Sequence, residues 1–395
     1  MKTKSWIFGA VALIVIGLAQ PVPGFAAAAE TPWTGTWAVS PQSDSASFNQ
    51  QTIRQIVHTS IGGPVVRVEL SNAFGNRPLN VSDVHIAVSA GGSSIVAGTD
   101  RRVTFGGASA TTVPVGSSVR SDPVTMTVAA LSNVVISAYV PQATGSATFH
   151  QQGTQTNYIA SGDVSGNASL PGARTTGSYY FLTGLDVQNP AAKGAVVTLG
   201  ASITDGYGSG QGSNRRWPND LAVRSANSGR TIGVLNEGIN GNRLLADGAG
   251  QSALNRFDRD VLSRPGVRWV IFSDDPINDL GSGSQPTADQ LVAGLKNLIS
   301  RAHSRGILFL CSTLTPFEGA GGWTQQGERS RGAINAFIRS AGSGCDAVVD
   351  QDVATHDPAN PTKFLPAYDI GDHLHPNEAG LQAIANAVDL RIFPV

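Results

Sequence analysis

Cysteine is nearly absent from this chain, which carries only Cys311 and Cys345 in 395 residues. A small fold stapled by a disulfide framework is thereby excluded. One bridge remains open in principle. However, Cys311 falls late in an apparent strand (307–313) and Cys345 just before another (347–349). Adjacent parallel strands would set the two at different heights, so two buried thiols are the expectation. Charge is scarce too: 14% of residues are charged and the net charge is -1. No basic stripe offers a footprint to nucleic acid, and no acidic tract marks a disordered tail. After the first 19 residues no apolar run reaches spanning length, so no membrane span is expected in the mature chain. What is abundant is glycine, 46 residues of it. With many Ser, Thr and Asn, this suits a turn-rich β protein of extracellular type. The length allows two domains with full cores.

Residues 1–29 read as an export signal. Lys2 and Lys4 precede an apolar stretch (6–19), and Ala26, Ala27 and Ala28 offer small-residue cleavage sites. A retained N-terminal anchor is the alternative. The expectation is a secreted or periplasmic mature protein.

From Trp33 to about Val187 the pattern is β. Val66, Val68 and Leu70 alternate with Arg67 and Glu69, and Val84, Ile86 and Val88 repeat the period of two, as do Val134, Ile136 and Ala138. Glycine, asparagine and proline turns separate the strands, which predicts an all-β sandwich or jelly-roll-like domain over 30–188. His58, His85 and His150 lack metal-ligand spacing and read as partly buried strand histidines. The stretch 187–194 looks like a linker, and beyond it strands alternate with helices. Strands are predicted at 195–199, 231–235, 267–273, 307–313 and 347–350. The clearest helix spans 289–305, with Leu291, Leu295, Leu298 and Ala302 on one face and a Thr287/Gln290 capping box. His303 on it reads as exposed or capping. A last helix is predicted at 377–388. This alternation predicts an α/β domain over 189–395, built on a doubly wound parallel five-stranded sheet.

The polar residues that carry chemistry sit where those strands end. After the first strand comes G-A-S-I-T-D-G (200–206), with Ser202 just beyond the strand and at the start of a helix. Alone, this reads equally well as a Gly-Ser turn in which Ser202 caps the helix. Three further blocks follow: N-E-G-I-N-G-N-R-L-L (236–245), S-D-D-P-I-N-D-L (273–280) and Y-D-I-G-D-H-L-H-P-N-E-A-G (368–380). Loops at the carboxyl ends of parallel strands converge on one crevice. Ester hydrolysis needs a nucleophile, a base, an orienting acid and oxyanion donors, and Ser202, His375, Asp372, Gly241 and Asn278 are residues of those types. The order Ser…Asp…His is that of other α/β hydrolases, although the nucleophile elbow G-x-S-x-G is absent. Asp369, Asp372, His373 and His375 offer a metal-binding alternative; the serine block favours a base with its orienter. His356 and Asp357, in a proline-rich loop, read as structural or rim residues.

Residues 195–395 resemble the SGNH (GDSL-type) hydrolases, a family of esterases, lipases and carbohydrate deacetylases named for Ser, Gly, Asn and His in four separated blocks. The resemblance implies Ser202 as nucleophile, with its own N–H, the Gly241 N–H and the Asn278 amide as the oxyanion hole. Asp372 and His375 would occupy the family's D-x-x-H positions. The N-terminal half resembles the β domain that precedes some secreted members. Two departures stand out. The first block usually reads G-D-S, where this chain has Ala201. The third usually reads G-x-N-D, where it has Pro276, which implies an altered approach to Asn278. The acidic pair Asp274-Asp275 is also unusual beside an oxyanion site. Taken together, these features predict a secreted serine ester hydrolase acting through an acyl-enzyme on an acylated carbohydrate or small ester. No cofactor and no metal are implied. The rival is a non-catalytic carbohydrate-binding protein on a decayed hydrolase scaffold.

Overall fold

The computed structural model describes residues 1–6, 9, 31–281, 283 and 286–395. The expected export signal therefore lies largely outside the described residues. Pro32–Val395 pack as one compact unit. No helix among the described residues is long and apolar enough to cross a membrane.

Residues 33–188 form two large antiparallel sheets facing one core, beside a small third sheet in the order Tyr179–Tyr180, Ala147–His150, Gln42–Asp44. One runs in the order Trp33–Ala38, Leu182–Gln188, Gly63–Ser71, Val124–Val128; the other is built around Asn157–Ser161, Gln51–His58, Asn133–Val140 and Leu79–Gly91. The period of two holds where it was read: Val66, Val68, Leu70, Val84, Ile86, Val134 and Ile136 are all buried in that core. A short turn at 189–194, with the Asn189 amide donating to Gly62 O at 2.7 Å, leads straight into the second sheet.

That second sheet is parallel and five-stranded, in the order Gly233–Gly238, Ala195–Gly200, Val267–Phe272, Leu308–Ser312, Ala347–Val349. The interior strand Ala195–Gly200 is buried at every position, because it has a neighbour on each side and helices on both faces. The second strand lies two residues later than the sequence pattern indicates. Ile232 is buried and apolar like a strand residue, but pairing with Ala195 begins only at Gly233. The long helix spans Ala288–His303 with both halves of the Thr287/Gln290 capping box in place, and Leu291, Leu295, Leu298 and Ala302 are buried. His303 at its end pairs with Asp346 at 2.8 Å. The last helix, Glu378–Asn386, is capped by Asn377.

The N-terminal β region covers the free edge of the parallel sheet. The Val234 N–H donates to Ser60 Oγ at 2.9 Å, and the Gly35 N–H to Pro265 O at 2.9 Å. Such a row of unpaired backbone groups would otherwise be open to strand addition from another chain.

Cys311 and Cys345 are disulfide-bonded, which corrects the expectation of two free thiols. That expectation took Cys345 to continue the line of the next strand. Instead it belongs to the turn before the strand, where Gly344 at φ +80° folds the chain back, and the two Cα atoms lie 5.8 Å apart. For a sequence separation of 34, chain-entropy reasoning puts the stabilisation at about 3–4 kcal/mol.

Candidate active site

The strand Ala195–Gly200 ends and breaks into a single helical turn, Ser202–Asp205. Gly200 and Gly238 pair across the first two strands, and both are glycine for steric reasons. A Cβ at 200 would lie 2.5 Å from Asp274 Oδ1, and one at 238 would lie 2.2 Å from the Asp205 nitrogen. The Asp274 carboxylate that presses on Gly200 is a clamp. It accepts from the Ala201 N–H at 3.0 Å, the Ile203 N–H at 2.8 Å and the Thr204 hydroxyl at 2.6 Å. The N–H groups on either side of Ser202 are thus fixed, while that of Ser202 itself donates to no protein acceptor among the described residues. The acidic pair that looked out of place by sequence turns inward: Asp274 and Asp275 are both buried.

The D-H-L-H segment delivers a base to this turn. The Asp372 carboxylate accepts from the backbone N–H groups of Leu374 at 3.0 Å and His375 at 2.9 Å, and from His375 Nδ1 at 2.6 Å. A carboxylate only accepts, so Nδ1 carries the proton and Nε2 presents its lone pair. Ser202 Oγ lies 2.8 Å from that Nε2. Burial opposes the Asp372 charge, but the hydrogen bonds from the His375 ring and from the His375 and Leu374 N–H groups outweigh it, so its pKa lies below the usual carboxylate value. His373 is held at φ +62° and engages Asp369 at 2.8 Å rather than Ser202. The Tyr207 ring packs on His375 with centroids 4.3 Å apart.

Gly241 and Asn278 are brought to each other. Gly241 turns its loop at φ +77°, and its N–H, too, has no protein acceptor among the described residues. One amide N–H of Asn278 donates to Asn242 O at 2.8 Å, and the other has no acceptor among the described residues. The short helix Asp275–Leu280 pins the loop at further points. Asp275 accepts from the Asn242 amide at 2.9 Å, and Asp279 from the Leu244 N–H at 2.6 Å. Burial pushes both carboxyls up to about 6. Pro276 stands in the first turn of this helix, where no backbone N–H is required, so the departure from G-x-N-D leaves Asn278 on a regular helix.

Ser202, His375 and Asp372 are therefore joined in one hydrogen-bonded chain, and Asn278 is bonded to Asn242, the residue after Gly241. Sequence reasoning passed over Tyr207 and the clamping role of Asp274; the only signal for the latter was an acidic pair in an unexpected place. Among the described residues no group of His, Cys, Asp and Glu is arranged to hold a metal.

Residues 198–383 match the model of the GDSL-like lipase/acylhydrolase family. This region belongs to that family. The hydrolase domain is that of a carboxylic ester hydrolase, and its sheet and helices are the fold the sequence led one to expect. Among solved structures it is similar to a lipase/acylhydrolase from Enterococcus faecalis (19% identity, 49% of this chain and 92% of that one, TM-score 0.38). It is also similar to an acetyl xylan esterase variant from Geobacillus stearothermophilus (21% identity, 51% and 94%, TM-score 0.39). No curated protein matches the chain.

Proposed function

We propose that the chain is an exported serine esterase that cleaves small esters, acylated carbohydrates among them, through Ser202, His375 and Asp372. What supports this most is the unbroken line from Asp372 through His375 to Ser202 Oγ, with contacts of 2.6 and 2.8 Å, inside a GDSL-like domain. Ser202 Oγ attacks the ester carbonyl while its proton passes to His375 Nε2. Asp372 holds the ring in the required tautomer and faces the imidazolium that forms. Negative charge develops on the carbonyl oxygen within reach of the Ser202 and Gly241 N–H groups and the second amide N–H of Asn278. The intermediate collapses to an acyl-enzyme as His375 returns the proton to the leaving alcohol. Water then repeats the sequence, releasing the acid and restoring Ser202.

The acyl side should be short. A half-open pocket of about 170 Å³ adjoins Asn278, lined by Ile277, Gly281, Phe317, Ala320, Gly322 and Leu374. At roughly 30 Å³ for a water-sized group, it holds about five or six heavy atoms. On the side of the base, the exposed Tyr207 ring offers a face on which a sugar could stack.

The test is turnover of p-nitrophenyl esters from acetate to laurate, with organophosphonate labelling. Activity should be greatest for acyl groups of two to six carbons. Ser202→Ala should lower kcat by about 10⁴ or more. The phosphonate should mark Ser202 alone. Labelling at Ser209 or Ser213, or equal rates on laurate and butyrate, would overturn the nucleophile or the chain length respectively. Absence of turnover on every ester would return the chain to a binding role.

A further inference from the structure

His150 ends the strand Ala147–His150 of the N-terminal β region, and its side chain is only 2% exposed. Its Nδ1 is 3.0 Å from Ser40 O and its Nε2 is 3.1 Å from Asp205 Oδ1. A carbonyl and a carboxylate both accept, so the two contacts are satisfied together by the ring that carries both protons, the imidazolium. Burial works against that charge and the nearby Arg216 adds to the cost, yet attraction and hydrogen bonding to Asp205 raise the pKa above the ordinary 6.5. The Tyr179 ring lies 6.4 Å away between centroids, and Glu237 and Arg256 bond the hydroxyl of the same Ser40 at 2.7 Å each.

Asp205 is the last residue of the turn that begins at Ser202. Its other oxygen accepts from the Asn240 N–H at 2.9 Å, and the Asn240 amide donates to Gln152 Oε1 at 2.7 Å. Asn240 directly precedes Gly241. Two side chains at and just after the end of one strand, His150 and Gln152, thus grip the nucleophile turn and the neighbouring loop together. That loop has no regular backbone pairing at Asn240 and Gly241 to fix it by itself. A donor aimed at charge that exists only in the transition state must be set before the reaction begins.

We infer that His150 and Gln152 are positioning residues of the esterase site, holding Asp205 and Asn240 so that the Gly241 N–H stays aligned with Ser202. The β region is then part of the catalytic apparatus rather than an appended module. This rests on the reading of Gly241 as an oxyanion donor.

The experiment uses the full chain with p-nitrophenyl acetate and two variants, His150→Gln and Gln152→Ala. A misplaced donor shows in kcat rather than KM. His150→Gln should lower kcat by about 10–10² and Gln152→Ala by about 3–10-fold, each with KM within about three-fold. A second readout is Tm against pH. With the native pKa raised above 6.5, the stabilisation from His150 is full below that value and is lost as pH rises through the native pKa. The Tm advantage of wild type over His150→Gln should therefore shrink on going alkaline. A lowered Tm with kcat unchanged in folded His150→Gln would reduce the residue to a structural post and overturn the inference. If that variant fails to fold, Gln152→Ala decides, and wild-type kcat there overturns it as well. If wild type hydrolyses no ester, the reading of the site has failed, whereas a pH-independent Tm difference would sink the His150–Asp205 pair itself.

Discussion

Two imidazole–carboxylate pairs flank the same turn of chain and do different things. His375 and Asp372 meet Ser202 at its start, and His150 and Asp205 meet at its end. In the first pair the carboxylate takes one ring nitrogen and the serine hydroxyl, which can donate, faces the other. In the second pair both nitrogens face pure acceptors, Ser40 O and Asp205. Having an acidic partner does not make a histidine a base; what decides is the group beyond the far nitrogen. A hydroxyl there leaves a lone pair free to receive a proton, whereas a carbonyl consumes the nitrogen as a donor. Exposure follows suit: the Asp372 side chain is 41% exposed at the rim, while both members of the second pair are within 3% of full burial.

The largest effect that would break this contrast concerns His375. His375→Ala should lower kcat by about 10⁴, since among the described residues no other ring bonds Ser202 Oγ. His373, itself exposed, pairs with the largely buried Asp369 and touches no nucleophile, so His373→Ala should leave kcat within about three-fold. Steady-state kinetics on p-nitrophenyl acetate separate the two. Equal losses, or recovery of activity with added zinc, would assign the D-H-L-H segment to a metal instead.

Next in size is Asn278, which separates a donor that touches the substrate from residues that only hold one. Loss of a single oxyanion donor costs roughly 10²–10³ in kcat. Asn278→Ala should reach that range with KM within a few-fold, exceeding the effect of His150→Gln. A smaller loss than in His150→Gln would invert the roles of the two shells.

The contrast also marks what could be read from sequence. Ser202, Gly241, Asn278, Asp372 and His375 lie in polar blocks just after buried strands or at the chain's end, and the topology of a parallel sheet brings such blocks together. His150 offers no such cue. A strand histidine looks the same locally whether its far nitrogen meets water or an aspartate, and the partner lies 55 residues away. Asp274 was visible only as an anomaly, because its clamp depends on how closely Gly200 lets a neighbouring strand's loop approach. Cys345 was misjudged for a related reason: strand spacing says nothing about the turn that precedes the strand.

The smallest effect tests whether the departure at Pro276 touches the chemistry at all. Proline in the first helical turn sacrifices no hydrogen bond, and its fixed φ matches the helix already formed by Asp275–Leu280. Asn278 is held instead by its bond to Asn242 O, and the loop it meets is held by Asp275 and Asp279. None of these contacts uses the proline ring. Pro276→Gly should therefore act mainly on the unfolded chain, which gains freedom, at a cost of about 0.5–1 kcal/mol. Thermal melting should show a fall in Tm of roughly 1–4 °C, with kcat on p-nitrophenyl acetate within two-fold of wild type. A rise in kcat of ten-fold or more would mean that the proline holds Asn278 away from the oxyanion. The oxyanion site would then be the impaired element, and the buried His150–Asp205 pair would be supporting a loop whose partner donor is out of place.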